Sequence, residues 1–175
     1  GISRTQSREY FIMNAGDHVT SEARLLHLKD QKGPLVLVEA RKTGHEYDVD
    51  HGQDLLFIRT NDTHENFRIV KADPSRPEQE HWEEVIAPSS TQYIRGHQVF
   101  RDFLAIQGRI EGLDQIHILL SEEKTGYNID FDEESYTVAL GSNPEYAPST
   151  LRLSYQSMVT PPSTMDYSIE DRTLT

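Results

Sequence analysis

Apolar and polar residues alternate along the chain in short runs of strand length, separated by turn-forming residues. Residues 44–87 show the pattern best. Within them 46–51 alternates, with Tyr47 and Val49 on one face, and 53–59 is a continuous apolar run, as a strand covered on both faces requires. Residues 66–72 alternate again and 82–86 closes the set. Gly52, Asn61-Asp62, Asp73-Pro74 and Ala87-Pro88 supply the punctuation. This stretch predicts one four-stranded antiparallel unit.

The unit recurs. Phe11, Phe57 and Phe103 fall at equal spacing in matching second strands, and Leu151 follows at nearly the same interval. A period of roughly 40–50 residues with four strands in each repeat is the mark of β-propeller blades. The predicted fold is all-β, a partial propeller forming a single domain with blades at about 1–42, 43–88, 89–134 and 135–175.

In the first blade, 8–13, 20–28 and 34–40 read as second, third and fourth strands, with turns at 14–17 and 29–33. Nothing before Arg8 has the length or alternation of a first strand, so this blade is expected to lack one. In the second, Glu78, Gln79 and Glu80 favour helix, but Pro74 and Pro77 limit 75–84 to a loop or one helical turn. The third blade takes 91–95, 100–106, 112–120 and 126–131, with Gly108 and Gly112 bracketing its central turn. The last takes 136–140, 150–157 and 164–169, leaving only 172–175 for a clipped final strand. End blades without neighbours expose apolar faces, so the chain reads as part of a larger ring and is expected to self-associate when isolated.

Charge narrows the partners. With 17 basic and 29 acidic residues the net charge is −12, which argues against nucleic acid and anionic membranes and suits basic peptides. The chain has no cysteine, which removes disulfides and thiolate metal sites and fits a reducing, cytoplasmic setting. Neither a leader nor a span of membrane length is visible.

The strings Thr20-Ser-Glu-Ala-Arg-Leu-Leu26, Phe57-Ile-Arg-Thr-Asn61, Trp82-Glu-Glu-Val-Ile86, Phe100-Arg-Asp-Phe-Leu104 and Asn143-Pro-Glu145 succeed one another in fixed order. Leu151-Arg-Leu-Ser-Tyr155 and Thr160-Pro-Pro-Ser163 extend the series. Together they resemble oligopeptidase B, of the prolyl oligopeptidase group of serine peptidases. The resemblance implies a seven-bladed propeller capping an α/β-hydrolase domain that cleaves short peptides after Arg or Lys with a Ser-Asp-His triad. This chain is similar to the later part of that propeller. It contains no G-x-S-x-G nucleophile elbow, so no catalytic residue carries over.

Other constellations are weaker. Ser89, His97 and Asp102 contain triad residue types without the strand–elbow–helix context. His45, Asp48, Asp50 and His51 suggest a metal, but alternation puts the two histidines opposite the two aspartates. Asp130, Asp132, Glu133 and Glu134 lack the spacing of a calcium loop and read as a solvated connection. Asn61-Asp-Thr63 matches the glycosylation sequon by composition alone. His27 and His117 read as hydrogen-bonded strand residues. Arg59, Arg101, Arg109 and Arg152 are candidates for a tunnel lining, for contacts with the hydrolase domain, or for surface and inter-blade pairs. The sequence thus predicts no catalytic, cofactor-binding or metal residue.

The leading expectation is a non-catalytic propeller that gates access to a serine oligopeptidase by size. Its partners would be the hydrolase domain of the same parent chain and, as parent substrates, short basic peptides. The alternative is a stand-alone propeller that binds peptides or proteins.

Overall fold

The computed structural model describes all 175 residues, Gly1–Thr175. They form sixteen strands in four four-stranded antiparallel sheets, each a meander in which chain neighbours pair. Sheet 1 holds β1 (Ile2–Arg4), β2 (Tyr10–Gly16), β3 (Ser21–His27) and β4 (Val36–Glu39). Sheet 2 holds β5 (Tyr47–Gly52), β6 (Leu55–Thr60), β7 (Arg68–Ala72) and β8 (Glu83–Ile86), with one 3-10 turn at Gln79–His81 before the last strand. Sheet 3 comprises β9 (Gln92–Val99), β10 (Phe103–Ile110), β11 (Leu113–Leu120) and β12 (Tyr127–Asn128). Sheet 4 comprises β13 (Tyr136–Leu140), β14 (Thr150–Ser157), β15 (Ser163–Ser168) and β16 (Thr173–Leu174).

The first sheet corrects the expectation of a missing strand: β1 pairs Ile2 with Met13 and Arg4 with Phe11. Three exposed residues carry no alternation, so the pattern could not reveal it. The turn expected at 14–17 also moves, because Asn14, Ala15 and Gly16 stay in the ladder opposite Ala23, Glu22 and Ser21. A Cβ at Gly16 would collide with the Thr20 carbonyl, which explains glycine at the end of β2. The last sheet is complete, since β16 pairs Leu174 with Tyr167 and Thr173 with Ser168. Two turns shift in the same way. Gly52 lies in β5 opposite Leu55, and the reversal is made by Gln53 and Asp54 at φ 55° and 59°. Gly108 lies within β10, and Glu111-Gly112 make the turn at φ 49° and 87°. Both hairpins have two-residue loops with positive φ, as the strand twist prefers.

The chain resolves into two units, Gly1–Ser90 and Thr91–Thr175, each containing two sheets around one core. In the first unit Ile12, Leu25 and Val38 of sheet 1 meet Leu56, Ile58 and Val70 of sheet 2. In the second, Phe103, Ile116 and Ile118 of sheet 3 meet Leu151, Leu153 and Tyr155 of sheet 4. β14 shows the rule plainly: Leu151, Leu153 and Tyr155 are buried, whereas Thr150, Arg152, Ser154 and Gln156 between them are exposed. Each such side chain contributes about 1.5–3 kcal/mol on burial, so the alternation fixes both register and facing direction.

Two buried histidines couple the first unit to pH. His45 shares a 2.9 Å hydrogen bond with the Thr60 hydroxyl, beside the rings of Tyr47 and Trp82. His51 shares a 2.7 Å bond with the Ser7 hydroxyl. Burial lowers both pKa values, outweighing the nearby carboxylates: Asp62 and Glu39 around His45, and Glu9, Asp50 and Asp54 around His51. A histidine with a lowered folded-state pKa stabilises the fold fully above its ordinary value of 6.5, and that contribution is lost as pH falls through the lowered value. The urea midpoint of the chain is therefore expected to fall as pH drops below 6.5, before the carboxylates titrate, and His45→Gln should flatten the slope. A midpoint constant down to about pH 4.5 would contradict this.

Candidate functional site

The polar groups of this chain that do the most work join one sheet to the next. β3 and β4 pair Ala23 with Glu39 and then Arg24 with Leu37, leaving Val38 as an extra residue. Such a bulge interrupts the ladder and leaves backbone N–H groups to be satisfied elsewhere. Tyr47, at the start of β5 in the neighbouring sheet, supplies the missing partner. Its hydroxyl accepts from the N–H of Ala23 at 2.7 Å and of Glu39 at 3.2 Å, and donates to the Glu39 carbonyl at 2.6 Å. Burial pushes its pKa up to about 12, so the proton it donates is retained at physiological pH. The turn between β1 and β2 adds a second clasp, since the N–H groups of Gln6 and Ser7 bind the Asp50 carboxylate and the His51 carbonyl.

In the second unit the corresponding device is a carboxylate. Asp114 is 3% exposed, although it is the second residue of β11, on the face of Ile116 and Ile118. The guanidinium groups of Arg109 and Arg95 reach it at 3.1 and 3.4 Å, and it accepts from the Val138 N–H of sheet 4 at 3.3 Å. Gln107 and Gln115 add two more inter-sheet bonds, to the Leu140 N–H and the Tyr136 hydroxyl.

A cavity of about 680 Å³ opens between the outer strands of sheets 3 and 4. Tyr127, Phe131, Tyr155 and Tyr167 line it, together with Glu133 and Arg172. The Arg172 guanidinium lies 4.1 Å from the centre of the Tyr127 ring, and Phe131 stacks on Tyr155. Hydroxyls of Ser157 and Thr160 hold the Glu133 carboxyl below the usual range.

The residues singled out in the sequence are engaged by structural partners. The Ser89 carbonyl accepts from Asn66, whereas His97 lies on β9 and Asp102 is paired with Arg101 at 2.8 Å. Asp48 is paired with Arg59 at 2.6 Å, and Asp50 accepts from backbone N–H groups, so these aspartates do not converge with His45 and His51. His27 accepts from the Lys29 N–H, and His117 bonds Asn128. Of the acidic connection, Asp130, Asp132 and Glu133 line the cavity and Glu134 stays exposed. Arg109 and Arg152 each pair across adjacent strands of their own sheet, Arg152 with Asp166 at 2.9 Å. The pins at Tyr47 and Asp114 were not singled out. For Asp114 the signal was present: a charged residue at the parity of a buried face.

Repeated four-stranded meanders, packed in pairs over apolar cores and pinned by buried polar groups, define a propeller-type domain. The comparisons with known proteins make the assignment specific. The sequence profile described as "Prolyl oligopeptidase, N-terminal beta-propeller domain" matches residues 1–175, and the chain belongs to that family. It is similar to Protease 2 of Moraxella lacunata, 31% identical over 169 residues, covering 97% of this chain and 24% of the relative. Dipeptidyl aminopeptidase BI of Pseudoxanthomonas mexicana is 29% identical over 174 residues, covering 99% and 24%. Among solved structures, oligopeptidase B from Trypanosoma brucei, with covalently bound antipain in a closed form, superposes with a TM-score of 0.91 at 28% identity. That match covers 100% of this chain and 26% of the other. Oligopeptidase B from Leishmania major gives 0.88 at 26% identity, with the same coverage. The chain thus spans about a quarter of the length of the relatives it matches.

Proposed function

We propose that this chain is the access-controlling part of a cytoplasmic serine oligopeptidase that cleaves short peptides after Arg or Lys. The observation that carries the reading is the superposition of the whole of this chain on part of oligopeptidase B of Trypanosoma brucei. The propeller makes and breaks no bonds. It surrounds the route to a catalytic α/β-hydrolase domain, admits short flexible peptides and excludes folded chains, while helping to keep water from the reaction. The acidic balance of −12 attracts basic peptides toward that route. Separated from its neighbours, the propeller part self-associates through the unpartnered faces of its outer sheets.

A second reading draws on Dipeptidyl aminopeptidase BI, a relative of nearly equal identity, and makes the parent a dipeptide-releasing enzyme. One assay separates the two. The chain joined to its natural continuation is offered an N-terminally blocked Arg substrate, a free dipeptide substrate, and the blocked sequence placed in a loop of a folded protein. The proposal expects cleavage of the first and none of the folded protein. Cleavage of the free dipeptide substrate alone would establish the second reading, and cleavage of the folded protein would end the gating account.

A further inference from the structure

Charge is shared unevenly at one point of the second unit. Arg24, Arg59, Arg101 and Arg152 each pair with an acid of their own, and Arg68 pairs with two. At Asp114 the ratio reverses, because Arg95 and Arg109 share its one carboxylate. Their ion pairs are with Asp114, not with Glu111 in the adjoining turn. The three groups therefore carry one net positive charge, in a chain whose own balance is −12.

A bulge delivers the second arginine. β9 pairs Gly96 with Gln107 and Ile94 with Gly108, which leaves Arg95 as the extra residue. Bulges of this kind re-aim a side chain. Gly108 permits the close passage, since a Cβ there would lie 2.9 Å from the Tyr93 carbonyl. Arg109 needs no such device, because it stands directly opposite Asp114 in the β10–β11 ladder. One guanidinium already balances the buried carboxylate, so the second is surplus to that task.

The bonds show what is left over. Arg95 Nη1 reaches Asp114 Oδ1 at 3.4 Å, and Arg109 Nε and Nη2 reach the same oxygen at 3.1 Å. Oδ2 is taken by the Val138 N–H. An arginine fork matches a carboxylate best through two parallel bonds to two oxygens, and neither fork has that here. Each guanidinium has five N–H donors, most of them unspent on Asp114, and both side chains are half-exposed. Tyr93, opposite Arg109 in β9, is exposed on the same side and sets a ring beside the charges.

We propose that Arg95 and Arg109, held by Asp114, form a binding site for a peptide carboxylate. This rests on the functional reading above, in which short peptides are the substrates, and it gives the negative end of a basic peptide a place of its own. Asp114 fixes both guanidinium groups before a ligand arrives, which lowers the entropy cost of binding.

Side-chain NMR tests it, because the Nε–H signals of Arg95 and Arg109 report on whatever meets their guanidinium groups. This chain is titrated at low salt with acetyl-Gly-Gly-Arg, as the free acid and as its C-terminal amide. An amidated peptide carrying a glutamate, and inorganic phosphate, complete the series. The free acid should shift both signals to saturation, and the amide should leave them in place. Arg95→Gln keeps the Arg109–Asp114 pair, so the urea midpoint should hold while affinity for the acid, read at Arg109, falls roughly tenfold. A shift by the glutamate peptide would keep the site and extend it to side-chain carboxylates, and no shift would restrict it to chain ends. Equal effects of acid and amide would overturn the proposal, as would undiminished affinity in the Arg95 variant. Phosphate saturating the signals at lower concentration than the acid would overturn it too, by assigning the site to phosphate. Cleavage of Arg substrates by the chain joined to its natural continuation keeps the two claims apart. Signals that respond to the acid, with no cleavage by the longer protein, would sink the functional reading and keep the site. Cleavage without a response would do the reverse.

Discussion

Replacing Asp114 with Ala should destabilise the chain by about 2–3 kcal/mol, the larger of the two effects expected from single substitutions. The carboxylate is 3% exposed and bonds two guanidinium groups and one backbone N–H. Removing it leaves the Val138 N–H facing a cavity and two cations without their counter-charge. Breaking a buried pair commonly costs about 3–5 kcal/mol. The lower figure is expected here because the side chains of Arg95 and Arg109 are 43% and 49% exposed and can rehydrate. Asp114→Asn, which keeps the shape and an acceptor, should cost about half as much. Urea denaturation checks both. A loss below about 0.5 kcal/mol for the Ala variant would show that sheets 3 and 4 are held by their apolar core alone.

Tyr47→Phe comes second, at about 1–3 kcal/mol. The ring stays in the core while the hydroxyl and its three bonds to Ala23 and Glu39 are lost. The cost arises from geometry. The Ala23 N–H lies at the bulge opposite Val38, and with the hydroxyl gone it is a buried donor with no acceptor. Hydrogen exchange gives a readout that global stability does not: the Ala23 amide should exchange faster while amides in β6 keep their relative protection. Unchanged exchange at Ala23 would mean that the bulge is satisfied without the tyrosine.

These two residues mark the limit of what periodicity reveals. The four-stranded repeat was legible because half-buried strands must alternate, and β14 does so without exception. Facing direction was less legible where both sides are covered. Phe11, Phe57, Phe103 and Leu151 all lie in second strands, yet Phe103 and Leu151 belong to the core between their sheets. Phe57, by contrast, alternates with Leu56 and Ile58 and lies on the opposite face from theirs. In a strand such as β10, where Phe103, Leu104, Ala105 and Ile106 are all buried, an apolar residue fits at either parity, so equal spacing preserves strand order and not side. β1 escaped notice because three exposed residues carry no pattern. Turns by Gln53-Asp54 escaped because positive φ there occurs without glycine. The Tyr47 pin escaped because its partners are backbone groups exposed by a bulge, which the order of side chains does not encode.

The central claim, that this is a gate separated from its catalytic machinery, is tested most directly by hydrolysis of one blocked, Arg-ended chromogenic peptide. The purified chain and the chain joined to its natural continuation are compared side by side. The account predicts hydrolysis by the longer protein and none by the chain alone. Turnover by the chain alone, surviving repurification and an inhibitor of contaminating proteases, would contradict it and place a catalytic centre among the serines of these four sheets.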